Sequence, residues 1–387
     1  MIPLSYSFRS IFRRRFTAVA TSLGLGLVVF VFAAVLMVAG GVKKTLKATG
    51  SPGNAILLRK GSTSELTSFL SKEAAKTFAA DPNVAQSGGR AVASPELFVI
   101  QQVEKADKSG PANVAFRGYT QDGWDLLRKD NLKLVAGRLP QMGTSEVMVG
   151  SGARGRYVGA EIGQSINKAK RNWQVVGAFT AEGNAAESEI WADADQIAQA
   201  MNRTGYSSMT VKLRSPGDLA QLKAVADGDP RYNLEAKRED VYYEENGGQL
   251  AAFITGLGSV IAVFFAFGAT LGAMITMYAQ VASRLREIGT LRALGFLRRW
   301  VLLAFVVESL ILSFAGAVAG CALAALLGNL SFTTLNFGTF TETKFRLAFS
   351  ADVAIASSLF AVGMGLIGGI LPAIRAARLP IVDASKG

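Results

Sequence analysis

Residues 283–299 read SRLREIGTLRALGFLRR and stand between two long apolar runs, Leu250 to Val281 and Trp300 to Leu330. Leu285, Ile288, Leu291 and Leu294 recur at helical spacing and draw one apolar stripe, while Arg284, Arg286, Glu287 and Arg292 fall off it. The stretch is therefore an amphipathic connector and not itself a membrane span. Gly289 permits a break within it, and Gly295 stands where a left-handed residue would close the last turn before Trp300. By itself this pattern also fits a solvated basic loop, because basic residues beside a span are what the positive-inside rule expects.

Working outward, the chain reads as a cytoplasmic interfacial helix (1–16), a first span (17–41), a large polar region (42–248) and a second span (249–281). The connector (282–299), a third span (300–330), a short external loop (331–350), a fourth span (351–371) and a cytoplasmic tail (372–387) follow. Each apolar run exceeds the ~20 residues that cross a bilayer core. The fold class is thus an α-helical membrane protein with four transmembrane helices and a large extracytoplasmic α+β domain between helices 1 and 2. A cleaved signal is the competing reading of the first run, but that run exceeds the apolar core of about 7 to 15 residues of such signals.

The net charge of +12 is concentrated on the expected inner face, at Arg9, Arg13, Arg14 and Arg15, at Arg284, Arg286, Arg292, Arg298 and Arg299, and at Arg375, Arg378 and Lys386. This distribution is a topology signal and argues against nucleic acid as a partner. Membrane lipid is the natural counterpart. No histidine occurs, which removes imidazole bases, ligands and pH switches. The one cysteine, Cys321, lies in an apolar run and reads as a packing residue. No G-x-x-x-x-G-K-[ST] phosphate loop is present in these 387 residues, so no cofactor is expected on this chain and any ATP and Mg belong to a partner.

Within 42–248 the pattern predicts strands at Asn54–Leu58, Glu96–Val103, Asn113–Tyr119, Glu146–Gly150, Trp173–Phe179, Ser208–Leu213 and Leu234–Lys237. Helices are predicted at Ser71–Ala80, Asp193–Asn202 and Pro216–Ala226. The glycine-rich stretch 152–163 lacks the lysine and the strand-to-helix frame of a phosphate cradle. Glu182, Glu187 and Glu189 invite a metal or acid-base site, but without histidine or cysteine nearby they read as a solvated loop. Trp124, Trp173 and Trp191 read as core or interface residues.

Three spans carry a G-x-x-x-G step, Gly268 with Gly272, Gly316 with Gly320, and Gly365 with Gly369, which predicts close helix packing and a helix-mediated dimer. Glu308 is the ionisable residue well inside a span and should face protein or water.

The wording R-E-I-G-T-L-R-A-L-G at 286–295 resembles the intracellular loop of the MacB and FtsX family of ABC-transporter permeases. Residues 369–380, GILPAIRAARLP, are similar to that family's closing signature through Pro372, Arg375 and Arg378. The resemblance covers nearly the whole chain, though in 42–248 it lies in layout more than in residues. It implies a MacB-like external domain with a more variable subdomain at roughly 138–190. It further implies a bacterial inner-membrane location with both termini cytoplasmic, a second permease copy, and a separate ABC ATPase.

In such a permease the connector is the coupling helix, and Arg284, Leu285, Glu287, Ile288, Leu291, Arg292 and Gly295 are its expected coupling residues. Leu285, Ile288 and Leu291 would supply the apolar contact to the ATPase. The family implies export or extraction of an amphipathic cargo, with a periplasmic adaptor and an outer-membrane channel, or FtsX-like signalling that switches on a cell-wall hydrolase. A membrane-anchored enzyme is a third class, for which the residues offer no catalytic constellation.

Overall fold

The computed structural model describes residues 15–128, 132–335 and 341–378. The interfacial helix expected at 1–16 and the tail beyond Arg378 lie almost wholly outside these. The chain divides into a helical unit, built from 1–40, 252–330 and 347–387, and an α+β unit, built from 41–251 and 331–346.

Among the described residues four helices are long and apolar enough to cross a membrane: α1 (Arg15–Lys47), α5 (Glu239–Ser283), α7 (Arg298–Leu326) and α8 (Ala351–Arg378). Each of α1, α5 and α8 outruns the apolar stretch that predicts it. Beyond its apolar run α1 keeps Lys43 and Lys47 one turn apart, and both reach Glu244 of α5, at 3.1 and 2.7 Å. Spacing of i and i+4 puts two like charges on one helix face, where a single carboxylate can serve both. Pro372 sits inside α8 and is buried, so the helix passes through the closing motif to Arg378 where the sequence suggests a tail from 372.

The glycine steps explain how the helical unit closes. A side chain at Gly316 would meet the Ser22 carbonyl at 2.8 Å, and one at Gly320 the Gly26 carbonyl at 2.5 Å, so α7 and α1 touch backbone to backbone. Gly369 likewise stands against Ser309 of α7, whose hydroxyl donates to the Gly365 carbonyl at 2.5 Å. Small residues permit this approach, and the serines supply polar contact across it. Gly268 and Gly272 of α5 differ, since a side chain added at either would meet nothing within 4 Å beyond its own helix backbone. Two of the three steps therefore serve packing within one chain, and only the step on α5 is open to a second copy.

The α+β unit is organised by one sheet of ten strands among the described residues: β1 (Asn54–Arg59), β2 (Ala93–Glu104), β3 (Pro111–Tyr119), β4 (Lys133–Gly137), β5 (Glu146–Gly150), β6 (Ser165–Lys168), β7 (Arg171–Thr180), β8 (Ile190–Asp193), β9 (Ser208–Lys212) and β10 (Leu234–Arg238). Its order is β10-β1-β9-β2-β3-β8-β5-β7-β4, with β6 on β7. Strands β5 and β7, from the range expected to be a variable subdomain, continue the same sheet as β1. Helix α2 (Lys72–Ala79) begins at Ser71, whose hydroxyl accepts from the Ala74 amide at 3.0 Å, as the sequence predicts. With α3 (Ala194–Ala200) and α4 (Asp218–Gly228) it covers one sheet face.

That face is apolar, formed by Leu57, Leu97, Phe116, Val149, Trp173 and Met209 among others. Period-two alternation sends their neighbours to the other face, where Trp124, Trp191, Tyr119 and Phe179 form a second cluster. Within 331–350, expected as a plain external loop, two antiparallel strands pair as a hairpin, β11 (Ser331–Leu335) and β12 (Glu342–Arg346). The hairpin belongs to the α+β unit. Glu342 binds Lys105 at 2.8 Å and Arg156 at 2.6 Å, and the Lys344 amide donates to Ser188 at 2.9 Å.

Candidate functional site

The connector is a helix, α6 (Leu285–Ala293), separated from α5 by Arg284 alone. The break falls at Arg284, with φ −116° and ψ 17°, and not at Gly289, which is buried within the helix. At the far end Gly295 adopts φ 90°. Its amide donates to the Arg292 carbonyl, and that of Phe296 to the Leu291 carbonyl, both at 3.1 Å, which is the paired closure that a glycine in the left-handed region makes possible.

The stripe does not behave as one surface. Ile288 is 3% exposed and packs with Met277, Val281, Val301, Phe305, Ala373 and Ala376 inside the helical unit. Leu285 and Leu291 are half-buried, and Leu294 is 72% exposed, joined outside by Leu297 at 51%. The expectation that Leu285, Ile288 and Leu291 together meet a partner is corrected accordingly: the helix uses Ile288 to hold on to its own bundle. The outward surface is Arg286, Glu287, Thr290, Leu294 and Leu297.

Arg284 also turns inward. Its two terminal nitrogens donate to Glu308 of α7 at 2.9 and 3.3 Å, and the side chains of the pair are 6% and 5% exposed. The guanidinium lies 5.8 Å from the Phe305 ring centre. Glu308 thus faces protein, as its place in a span requires, and its counterion comes from the connector. In the closing motif, Arg375 lies 5.5 Å from the Tyr278 ring of α5, and Arg378 is exposed.

In the α+β unit the structure assembles a site from residues far apart in sequence. Arg117, in the middle of β3, donates to Glu65 at 2.7 and 2.8 Å, to Glu96 at 2.9 Å and to Glu189 at 2.9 and 3.0 Å. Arg128 binds Glu96, Thr210 and Glu239. Glu239, the first residue of α5, also accepts from the Ser51 amide and the Asn54 side chain, at 3.0 and 2.8 Å. Four carboxyls thus surround two guanidiniums.

Burial opposes ionisation of Glu65, but the adjacent Arg117 outweighs it and holds the carboxyl below its usual range. For Glu96 burial prevails over Arg128 and Arg117, and the carboxyl is pushed up. A cavity of about 360 Å³ opens beside this network, walled by Arg117, Arg128, Glu189, Trp191, Glu239 and Tyr243 among others.

Of the three glutamates read as a solvated loop, only Glu182 is exposed, paired with Lys133 at 3.2 Å. Glu187 is half-buried. Burial resists its charge, but donors from Thr180, Gly183, Ala181 and Ser151 win and hold its carboxyl down. Glu189 belongs to the Arg117 network and accepts from the Trp191 ring nitrogen at 2.8 Å. A signal for this site was present. Arg117 shares a strand face with Ala115 and Tyr119 in NVAFRGY, and an arginine inside an apolar strand with both faces covered needs buried carboxylates.

Comparison with known proteins bears on both units. The MacB-like periplasmic core domain matches residues 18–227, more than half of the chain, and the FtsX-like permease C-terminal domain matches residues 259–381. The chain is 26% identical over 51% of its length to the uncharacterized ABC transporter permease YknZ of Bacillus subtilis. It is 25% identical over 58% to the macrolide export ATP-binding/permease protein MacB of Bdellovibrio bacteriovorus, and 27% identical over 62% to the pyoverdine export ATP-binding/permease protein PvdT of Pseudomonas entomophila. These matches span 49, 36 and 38% of the relatives' own lengths. With one family model over most of the α+β unit and the helix before it, and the other over the three later helices, the chain belongs to the MacB/FtsX-type family of ABC transporter permeases.

Proposed function

We propose that the chain is the membrane subunit of an ATP-driven transporter in a bacterial inner membrane, with both termini cytoplasmic and two copies in the working complex. A separate ABC ATPase, which carries the ATP and Mg, docks on α6. Its closure moves the α+β domain and so exports or extracts an amphipathic cargo such as a drug, lipid, glycolipid or lipoprotein. A periplasmic adaptor and an outer-membrane channel complete the route.

The observation that carries this reading is the division of labour on α6. One side is sunk in the bundle through Ile288 and Arg284, while Leu294 and Leu297 stand exposed beside Arg286 and Glu287 just past a closed helix end. Exposed leucines flanked by charge favour a protein partner. Retention of the ATPase on the permease during purification from membranes tests the reading, and Leu294→Asp with Leu297→Asp should abolish it. Full retention by that inserted variant would sink it.

The FtsX-like character of the C-terminal match favours a second reading, signalling to a cell-wall hydrolase without transport. Activation of a hydrolase in the absence of cargo movement would decide for it.

A further inference from the structure

Arg284 occupies the joint between a 45-residue helix and the short connector, and its side chain is spent on neither solvent nor lipid. It enters the bundle, binds Glu308 through two nitrogens, and covers the Phe305 ring one turn before Glu308 on α7. A buried ion pair is a poor way to gain stability, since packed apolar residues of similar size often do as well or better. What it gives is direction: a guanidinium fork meets a carboxylate in few geometries. The rest of the inward hold on α6 comes from Ile288 in its apolar pocket, the buried Gly289 and the half-buried Leu285 and Leu291, apolar contacts that fix direction less sharply than a guanidinium fork.

We propose that Arg284 and Glu308 are a positioning pair that fixes the angle of α6 against α7, so that force applied to the connector moves α5 and α7 as one body. The pair makes no contact with the ATPase. It sets the attitude in which Leu294 and Leu297 are presented, and it turns docking into movement of the spans. This rests on the transporter reading above and deepens it, since it separates the residues that bind the ATPase from those that make binding count. It also accounts for an acidic residue ten positions into an otherwise apolar helix.

The test uses the full chain in nanodiscs with the ATPase that co-purifies with it from host membranes. Glu308→Gln and Arg284→Gln should each keep the ATPase bound, while the permease-dependent part of ATP hydrolysis falls about tenfold. The exchanged pair, Arg284→Glu with Glu308→Arg, should recover more than either single change. In a Cys321→Ser background, Arg284→Cys with Glu308→Cys should show the same loss, regain hydrolysis when the thiols are bridged by a short bifunctional thiosulfonate, and lose it again on reduction.

Absence of any ATPase on the unaltered chain would refute the transporter reading itself. Loss of the ATPase from the single variants alone would make the pair a docking contact and overturn the inference. Unchanged hydrolysis in the singles would overturn it too, as would failure of both the exchange and the bridge to restore a loss. If the glutamine variants do not insert, the bridged cysteine pair decides by the same criterion.

Discussion

Arg117 and Glu65 meet fork to fork, at 2.7 and 2.8 Å, with both side chains 4% exposed. Fifty-two positions separate them in sequence. Removing the arginine leaves Glu65, Glu96 and Glu189 without their shared counterion. Arg117→Leu should therefore cost about 3 to 5 kcal/mol at pH 7. Thermal unfolding of the full chain in detergent, followed by tryptophan fluorescence, measures it, because Trp191 donates to Glu189.

The same variant fixes the sign of a pH effect. In the unaltered protein the depressed carboxyl of Glu65 gives stability that is fully present above its ordinary value of 4.5 and is lost as pH falls through the lower folded value. Without Arg117, burial is opposed only by the Ser208 hydroxyl and by Arg128, so the carboxyl rises from its depressed value in the parent. The contribution of Glu65 should therefore be lost on acidification in the parent and lost less, or not at all, in the variant. Melting curves at pH 7 and near pH 4 should draw together, and a gap that widens in acid would contradict the assignment.

The glycine steps predict a split between folding and association. Gly316→Leu would drive a side chain into the α1 backbone at Ser22 and Gly26, so it should lower the melting temperature and yield of the single chain. Gly268→Leu with Gly272→Leu meets open space and should leave both unchanged. If a second copy packs on α5, the latter pair weakens the dimer in detergent, as read by light scattering. A dimer unaffected by it would place the association elsewhere.

On the connector, Ile288→Asp buries a carboxylate in an apolar pocket and should impair insertion or folding, unlike the change at Leu294 and Leu297. Each of those leucines contributes roughly 1.5 to 3 kcal/mol if fully covered by a partner. An exposed ion pair is worth about 0 to 1 kcal/mol, so Glu287→Gln should reduce ATPase retention only mildly. Yield of monodisperse permease and ATPase stoichiometry separate the three outcomes.

How much of this was open to reading follows the range of the contacts involved. Strand β5 is legible to the residue, since Glu146 to Gly150 carries the continuous apolar run Val147, Met148 and Val149, and Ser71 announces α2 through a hydrogen bond three residues long. The four apolar helices and the elbow between two of them were equally plain. Periodicity shows that α6 has an apolar face but not what the face touches, and Ile288 finds its pocket among residues of three other helices. The Arg117 network draws on positions from Glu65 to Glu239, which no local pattern joins. The hairpin at 331–346 carries Phe332, Thr333 and Thr334, ordinary strand residues, yet its place between two spans disguises it as a plain connection.

That hairpin gives the α+β unit an unusual biography. A ribosome delivers residues 41–251 first, and a domain ordinarily settles once its chain is out. Here Lys105 and Arg156 must wait for Glu342, which is translated only after the whole of α7. The last pieces of the sheet domain thus arrive behind a helix bound for lipid. Completion of the domain is therefore chronologically tied to synthesis of that apolar helix.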